Sequence, residues 1–499
     1  MRRLVLCLSA SAAVIAVFVV GACGVGTECD FGMCAGPSVA GDGGVDGHAD
    51  VAIPPGCDDK AEPKDSPACV VSEFGVFVSS AGKPDAAGTK EDPVNSIGIG
   101  LSKLNGKPRI YVCGGTYNER VVLPSAVSIY GGFNCDGWAH TGAKPVVGTP
   151  SQPGYALDVS NVNGAFEIAD LEFVAANGNE SFINSIAARF VQVPNATLRR
   201  VSLKAGDGAN GEEGLEGASG ETVKHTDPGG SPIDPKGNPG STPTKQCRCP
   251  NAPTASTSGG SGGGFNGPGQ PGGPDSILPS GPGGVDNGGG GSAGCSTGKR
   301  GATPKPAAAG AVSVQYGALD DGTWVPARGG DGSVGIPGQG GGGGGGTADG
   351  QGGGGGCGGC GGFGGEGGGG GGASVVLLAI DSPVRLVATE LSAARGGDGG
   401  AGGAGGPGGP GGTGGAGTEL ACAGGAGGSG GAGGGGAGGP GGLSVGVLYR
   451  GAPPIDEGAT ITPSTPGNGG AGKSGNDGPT GLKAPIANID SAKPNDGGS

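Results

Sequence analysis

The sequence predicts an all-β chain, built from short paired strands that stack on one another and are broken by long glycine-rich excursions. Three observations lead there. Glycine supplies 129 of the 499 residues and proline 40, against usual shares of ~7% and ~5%. Glycine buries no side chain and loses the most entropy on ordering, which excludes a conventional enzyme core over the whole length. Most aromatic residues fall between Phe74 and Phe190, so that part is the one able to bury a core. Beyond it, short strand pairs followed by bursts of glycine recur along the chain, as in a structural repeat.

The N-terminus comes first. Arg2 and Arg3 precede an apolar run from Leu4 to Val20, which ends in Val20-Gly21-Ala22-Cys23. The run is too short and too early for a permanent span, and residues 1–22 read as a signal peptide. Small residues before a cysteine resemble a bacterial lipobox. That resemblance implies lipidation of Cys23, and two or more acyl chains anchor stably where one is marginal. Gly24, where an aspartate would retain the protein at the inner membrane, implies the outer membrane or cell surface. Residues 23–56 are small and polar and read as a flexible tether.

Cysteine usage agrees with export. Setting Cys7 and Cys23 aside from the 14 cysteines leaves an even number, as expected in an oxidising compartment. Sequence proximity suggests Cys29 with Cys34, Cys57 with Cys69, and Cys113 with Cys135. Cys247, Cys249, Cys295, Cys357, Cys360 and Cys422 remain unassigned. Cys357-Gly-Gly-Cys360 has CxxC spacing, but zinc needs four ligands, and neither a second CxxC nor a neighbouring histidine accompanies it.

Residues 57–204 read as a cap and first coils. Gly75–Val78, Arg109–Val112, Val121–Leu123 and Val127–Tyr130 are β-rich runs between turn residues. Val94–Leu104 is the helix candidate, with Ile97, Leu101 and Leu104 at helical spacing. Phe77-Val78-Ser79, Gly88-Thr89-Lys90-Glu91-Asp92-Pro93, Ile110-Tyr111-Val112, Gly114-Gly115-Thr116-Tyr117-Asn118-Glu119 and Val127–Phe133 follow in order. Together they resemble the opening of right-handed parallel β-helix proteins of pectin-lyase-like architecture, where a capping helix leads into coils of short strands. With the cysteines at 113 and 135 and the glycine-rich remainder, the chain also resembles exported lipoproteins of myxobacterial type.

The repeat extends this reading. Residues 185–204, 311–328, 373–395 and 443–463 are each a strand pair, with alternating apolar positions such as Val312, Val314 and Tyr316, or Val375, Leu377 and Ala379. One pair cannot bury its own face, but stacked neighbours can, so these are expected to be successive coils of one β-helix. The excursions are 205–310, 329–372 and 396–442, and 464–499 is a glycine-rich polar tail. Residues 396–416 form seven in-phase Gly-Gly-X triplets, which match an extended helix of three residues per turn. These stretches are polyglycine-II-like or flexible linkers. Their composition is similar to the glycine-rich domains of mycobacterial PE-PGRS proteins, without the PE-type N-terminal domain.

Several motifs carry little weight in this background. Gly467–Ser474 fits GxxxxGK[ST], and Gly206–Gly211 fits GxGxxG. Neither is followed by a credible helix to hold phosphates. Asp331 and Asp398 lie in Gly-Gly-Asp-Gly bursts, out of phase with calcium-binding repeats. The net charge of −14 and pI of about 4.7 leave no basic stripe for nucleic acid. No nucleotide, cofactor or metal is expected.

Parallel β-helix enzymes cut polysaccharides with clustered carboxylates. Candidates for such a cluster are Asp158, Glu167, Asp170 and Glu172, with Arg189, Arg199 and Arg200. Asp170 and Glu172 would share one strand face, and Arg199 and Arg200 would point opposite ways. Outward surface charge is the favoured reading of these residues. The expectation is a non-enzymatic, lipid-anchored envelope protein contacting glycan or matrix; the alternative is a carbohydrate-active β-helix enzyme.

Overall fold

The β-prone runs become strands because their branched and aromatic side chains suit a pleated, buried surface. In the computed structural model, residues 51–148, 154–220, 246–249, 252–273 and 288–491 are described. The signal peptide, Cys23, Cys29 and Cys34 lie outside the described residues, as does most of the tether.

The chain visits three sheets in rotation. It enters the first with β1 (Gly75–Val78) and crosses a short helix, α1 (Ile97–Ser102). β2 (Arg109–Cys113), β3 (Thr116–Tyr117) and β4 (Val121–Leu123) then join the first, second and third sheets. The next round is β5 (Ser128–Phe133), an antiparallel side strand β6 (His140–Ala143), β7 (Val146–Gly148) and β8 (Leu157–Ser160). β9 (Phe166–Ala169), β10 (Glu172–Val174) and β11 (Ser185–Val191) follow, then β12 (Ala196–Arg199) and β13 (Ser202–Lys204). The excursion after β13 holds two antiparallel hairpins, β14 (Gln246–Cys249) with β15 (Ala252–Ser258), and β16 (Gly317–Asp320) with β17 (Thr323–Pro326). β18 (Ser374–Ile380) closes that round. The last two rounds are β19 (Arg385–Val387), β20 (Glu390–Ser392) and β21 (Ser444–Arg450), then β22 (Ile455–Glu457), β23 (Thr460–Thr462) and β24 (Lys483–Asn488). Apart from β5 with β6, every pairing within the three sheets is parallel.

Register aligns like side chains into ladders. Ile110, Ile129, Ile168, Leu198 and Leu386 stack in the first sheet. Tyr117, Val147, Phe173, Leu203 and Leu391 stack in the second. Val121, Leu157, Ala188, Leu377 and Val447 stack in the third. All of them meet in one buried core, so each round buries the apolar face that its neighbours expose. Two-residue corners join the first sheet to the second. Their first residues, Asp170, Arg200, Ala388 and Gly458, have φ of 58°, 51°, 48° and 85°. The residues after the first three, Leu171, Val201 and Thr389, turn inward and are buried.

The helix is shorter than expected. Ser96 caps it by accepting from the Ile99 N–H, and the Glu119 carboxylate accepts from the Ile97 and Gly98 N–H groups. Burial pushes the Glu119 carboxyl up, and those two backbone donors only partly offset it.

Each long excursion leaves after a second-sheet strand and returns on a third-sheet strand. Within the excursions, backbone hydrogen bonds recur at every third residue. Gly397, Gly400, Gly403, Gly406 and Gly409 donate to the carbonyls of Gly372, Gly369, Glu366, Phe363 and Cys360. Gly356, Gly359, Gly362, Gly365 and Gly368 donate to Gly425, Gly428, Gly431, Gly434 and Ala437. The segments lie side by side and are bonded on more than two sides, unlike strands in a sheet. The middle ones are backed so closely that a Cβ on Gly365 would overlap the Gly403 carbonyl.

Two expectations need correction. Residues 311–328 were expected to form a coil, yet they join none of the three sheets. β16 and β17 pair with each other through Asp321 and Gly322, at φ 45° and 69°, as a two-residue hairpin turn requires. Trp324 and Tyr316 then cover the outer face of the third sheet, against Ile186, Val375, Leu378 and Val445. That cover explains why β18 is buried at every position, as parallel strands covered on both faces are. Residues 464–499, expected to be a polar tail, contribute β24 to the third sheet.

Candidate functional site

The charged residues singled out in the sequence gather mainly at the corner between the first and second sheets. Asp170 and Arg200 occupy equivalent corner positions in successive rounds. Arg200 donates from Nε to Asp170 Oδ1 and from Nη2 to Asp170 Oδ2, both at 2.8 Å. His140 Nε2 lies 3.1 Å from Asp170 Oδ2. Glu62 faces both arginines: it accepts from Arg200 Nη1 and Nη2, and Arg199 Nε forms an ion pair with its Oε1 at 3.3 Å. Arg199 also pairs with Glu167, whose Oε2 lies 3.4 Å from the Tyr130 hydroxyl.

Burial alone would raise the Asp170 carboxyl. The hydrogen bonds from Arg200 and His140 outweigh it and hold the group below the usual carboxylate range. The same contact with Asp170, against the opposing effect of burial, raises Arg200. A general acid needs a pKa moved towards neutrality; Asp170 moves the other way.

The remaining candidates stand apart. Arg189 grips Asp158 with two bonds of 2.9 and 2.8 Å and lies 4.4 Å from the centre of the Tyr155 ring. Asp158 and Arg189 are register partners on β8 and β11. Glu172 pairs with Lys204 at 2.8 Å. Asp170 and Glu172 therefore do not share a strand face, because Asp170 sits in the corner before β10 begins. Nor do Arg199 and Arg200 diverge: the left-handed residue at 200 breaks strand alternation, and both guanidinium groups reach Glu62.

Sequence reasoning missed Glu62 and His140. Glu62 arrives from the loop closed by the Cys57–Cys69 disulfide. Arg109 fastens that loop by donating to the Asp59 and Ala61 carbonyls, while its guanidinium lies 5.2 Å from the centres of the Phe74 and Tyr130 rings. No local sequence pattern marks a partner more than a hundred residues away.

Cys113 is joined to Cys135, and the unassigned cysteines pair as Cys247–Cys357, Cys249–Cys360 and Cys295–Cys422. The CxxC cysteines are thus bonded to β14 and not to each other. Among the described residues, no group of three or more His, Cys, Asp and Glu side chains is placed to hold a metal ion. No helix among them is long and apolar enough to cross a membrane.

The phosphate-loop look-alikes are occupied internally. Gly467, Gly470 and Lys473 donate their amides to Gly442, Gly439 and Gly436. Gly208 and Gly211 donate theirs to Arg395 and Asp398. Asp398 and Asp331 accept from the Asn468 and Gly367 amides, which makes them bridges between segments.

No family model and no curated protein matches the chain. Two solved structures of the GH136 lacto-N-biosidase from Eubacterium ramulus, a selenomethionine derivative and the native protein, align at 14% identity with TM-scores of 0.22 and 0.20. They cover 26% of this chain and 27% and 26% of that one, so the chain spans about a quarter of the enzyme's length. A likeness this slight carries no argument for activity.

Proposed function

We propose that the chain is a lipid-anchored cell-envelope protein, exported and held through Cys23, with a structural, adhesive or glycan-contact role and no catalysis of its own. The fold we infer is a right-handed parallel β-helix, with polyglycine-II-like excursions hung from one corner of successive coils. The carrying observation is the third-residue hydrogen-bond ladder, which supports reading the excursions as a stiff body. A stiff body on a tether suits presentation at a distance from a membrane. The ion pairs of Asp158, Glu167, Asp170 and Glu172 support the non-catalytic side of the reading. The disulfides support an oxidising compartment.

Two experiments test this. Cys23→Ala is expected to move the protein from the membrane fraction to the soluble fraction; retention in the membrane would refute the anchor. Residues 57–499 are expected to bind cells or members of a glycan panel without cleaving them. Reproducible polysaccharide cleavage, lost in Asp170→Asn, would instead establish the carbohydrate-active alternative.

A further inference from the structure

A cleft of about 790 Å³ opens beside the glycine-rich segments, and none of the charged corner residues lines it. Its volume is in the range of small-ligand sites. Three parts of the chain converge on it: the turn holding Asn179 and Glu180, the segment holding Asn210 and Glu212, and the end of β17 with Arg328 just beyond it. The floor is the bare backbone of Gly369 and Gly370, and Ile183 and Val325 add apolar wall.

Asn179, Glu180, Asn210 and Glu212 lie at exposed positions along the cleft. Asn179 Oδ1 accepts from the Ser181 and Phe182 N–H groups at 2.9 and 3.0 Å. Asn210 Oδ1 accepts from the Asp398 N–H at 2.9 Å. Both amides are therefore oriented by their oxygens, and their Nδ2 donors have no partner among the described residues. The Glu180 and Glu212 carboxylates likewise have none, and supply acceptors. Arg328 is already engaged, donating to the Gly367 carbonyl at 3.0 Å with Glu366 Oε2 at 3.8 Å. Oriented donors beside free acceptors suit hydroxyl groups, which both donate and accept. The excess of carboxylates disfavours anionic ligands.

We propose that this cleft binds the end of a neutral oligosaccharide, with Asn179 and Asn210 donating to its hydroxyls and Glu180 and Glu212 accepting from them. The proposal rests on the glycan-contact reading and gives that reading a site and a ligand class.

Residues 57–499 would be titrated calorimetrically with maltose, lactose, cellobiose, chitobiose and digalacturonate. At least one neutral disaccharide is expected to bind, at least tenfold more tightly than digalacturonate. The double variant Asn179→Asp/Asn210→Asp keeps both capping oxygens and removes both donors; it should weaken binding at least tenfold at an unchanged thermal midpoint. Should that variant fold poorly, Glu212→Gln, at an exposed position, is expected to weaken binding severalfold. Binding that ignores these substitutions, or digalacturonate binding as tightly as the neutral sugars, would overturn the site and leave glycan contact elsewhere on the protein standing. A wild-type protein that binds none of the panel would overturn the site too, and the separate cell-binding assay would then decide the broader reading.

Discussion

Asp170 shows how one backbone angle redirects a side chain. Alternation along a strand assigns Asp170 and Glu172 to one face. At φ 58° Asp170 is the turn itself, and it meets Arg200 from the next round. Its carboxyl is held below the usual range, so it binds its proton less readily folded than unfolded. Its contribution to stability is therefore complete above the unfolded pKa of about 3.9 and is lost as pH falls through the lower folded value. Thermal unfolding of wild type and Asp170→Asn should thus differ most above the unfolded pKa of about 3.9 and converge as pH falls through the lower folded value. A gap that persists at the acid end would contradict the assignment. The residue types were legible beforehand; the partners were not, because Glu62 enters from the disulfide-closed loop and His140 from the side strand β6.

Among the elements, the Gly-Gly-X segments depart furthest from ordinary secondary structure. Their triplet phase was readable in residues 396–416, but a period of three is equally compatible with an isolated flexible strand. Neighbours decide the matter: each segment finds donors and acceptors on several sides, so backbone polar groups that water would otherwise satisfy are paired inside. Position within the bundle then governs tolerance. Gly365→Ala, which drives a Cβ into the Gly403 carbonyl, should cost about 1–3 kcal/mol, typical of overpacking. Thr413→Ala, at an exposed triplet position, should change stability by less than about 0.5 kcal/mol. Equal thermal midpoints for the two variants would argue against a packed bundle. The misread element is also instructive. Asp321-Gly322 is a two-residue hairpin signal, yet the alternation of Val312, Val314 and Tyr316 suggested a coil.

At the scale of the whole molecule, disulfides clip the excursions to one another. Cys247 and Cys249 tie β14 to Cys357 and Cys360, and Cys295 is tied to Cys422 across a separation of 127 residues. Closing so long a loop restricts the unfolded chain strongly. The Cys295→Ala/Cys422→Ala variant should lose about 2–5 kcal/mol, read as a lower thermal midpoint under non-reducing conditions. A fully reduced wild type should fall at least as far. An unchanged midpoint would mean that the ladder alone holds the bundle.

The sequence by itself determined the all-β class, several of the stretches that stack, among them 185–204 and 373–395, and the concentration of glycine after residue 205. It did so because apolar patterning and glycine content act locally, through burial and backbone freedom. Tertiary structure alone decided which cysteines pair, which carboxylates meet which arginines, that residues 311–328 cover a sheet and do not extend one, and that the glycine-rich stretches lie against one another. Each of these depends on contacts between residues tens to hundreds of positions apart. Such contacts depend on the register in which the three ladders of the core hold the rounds.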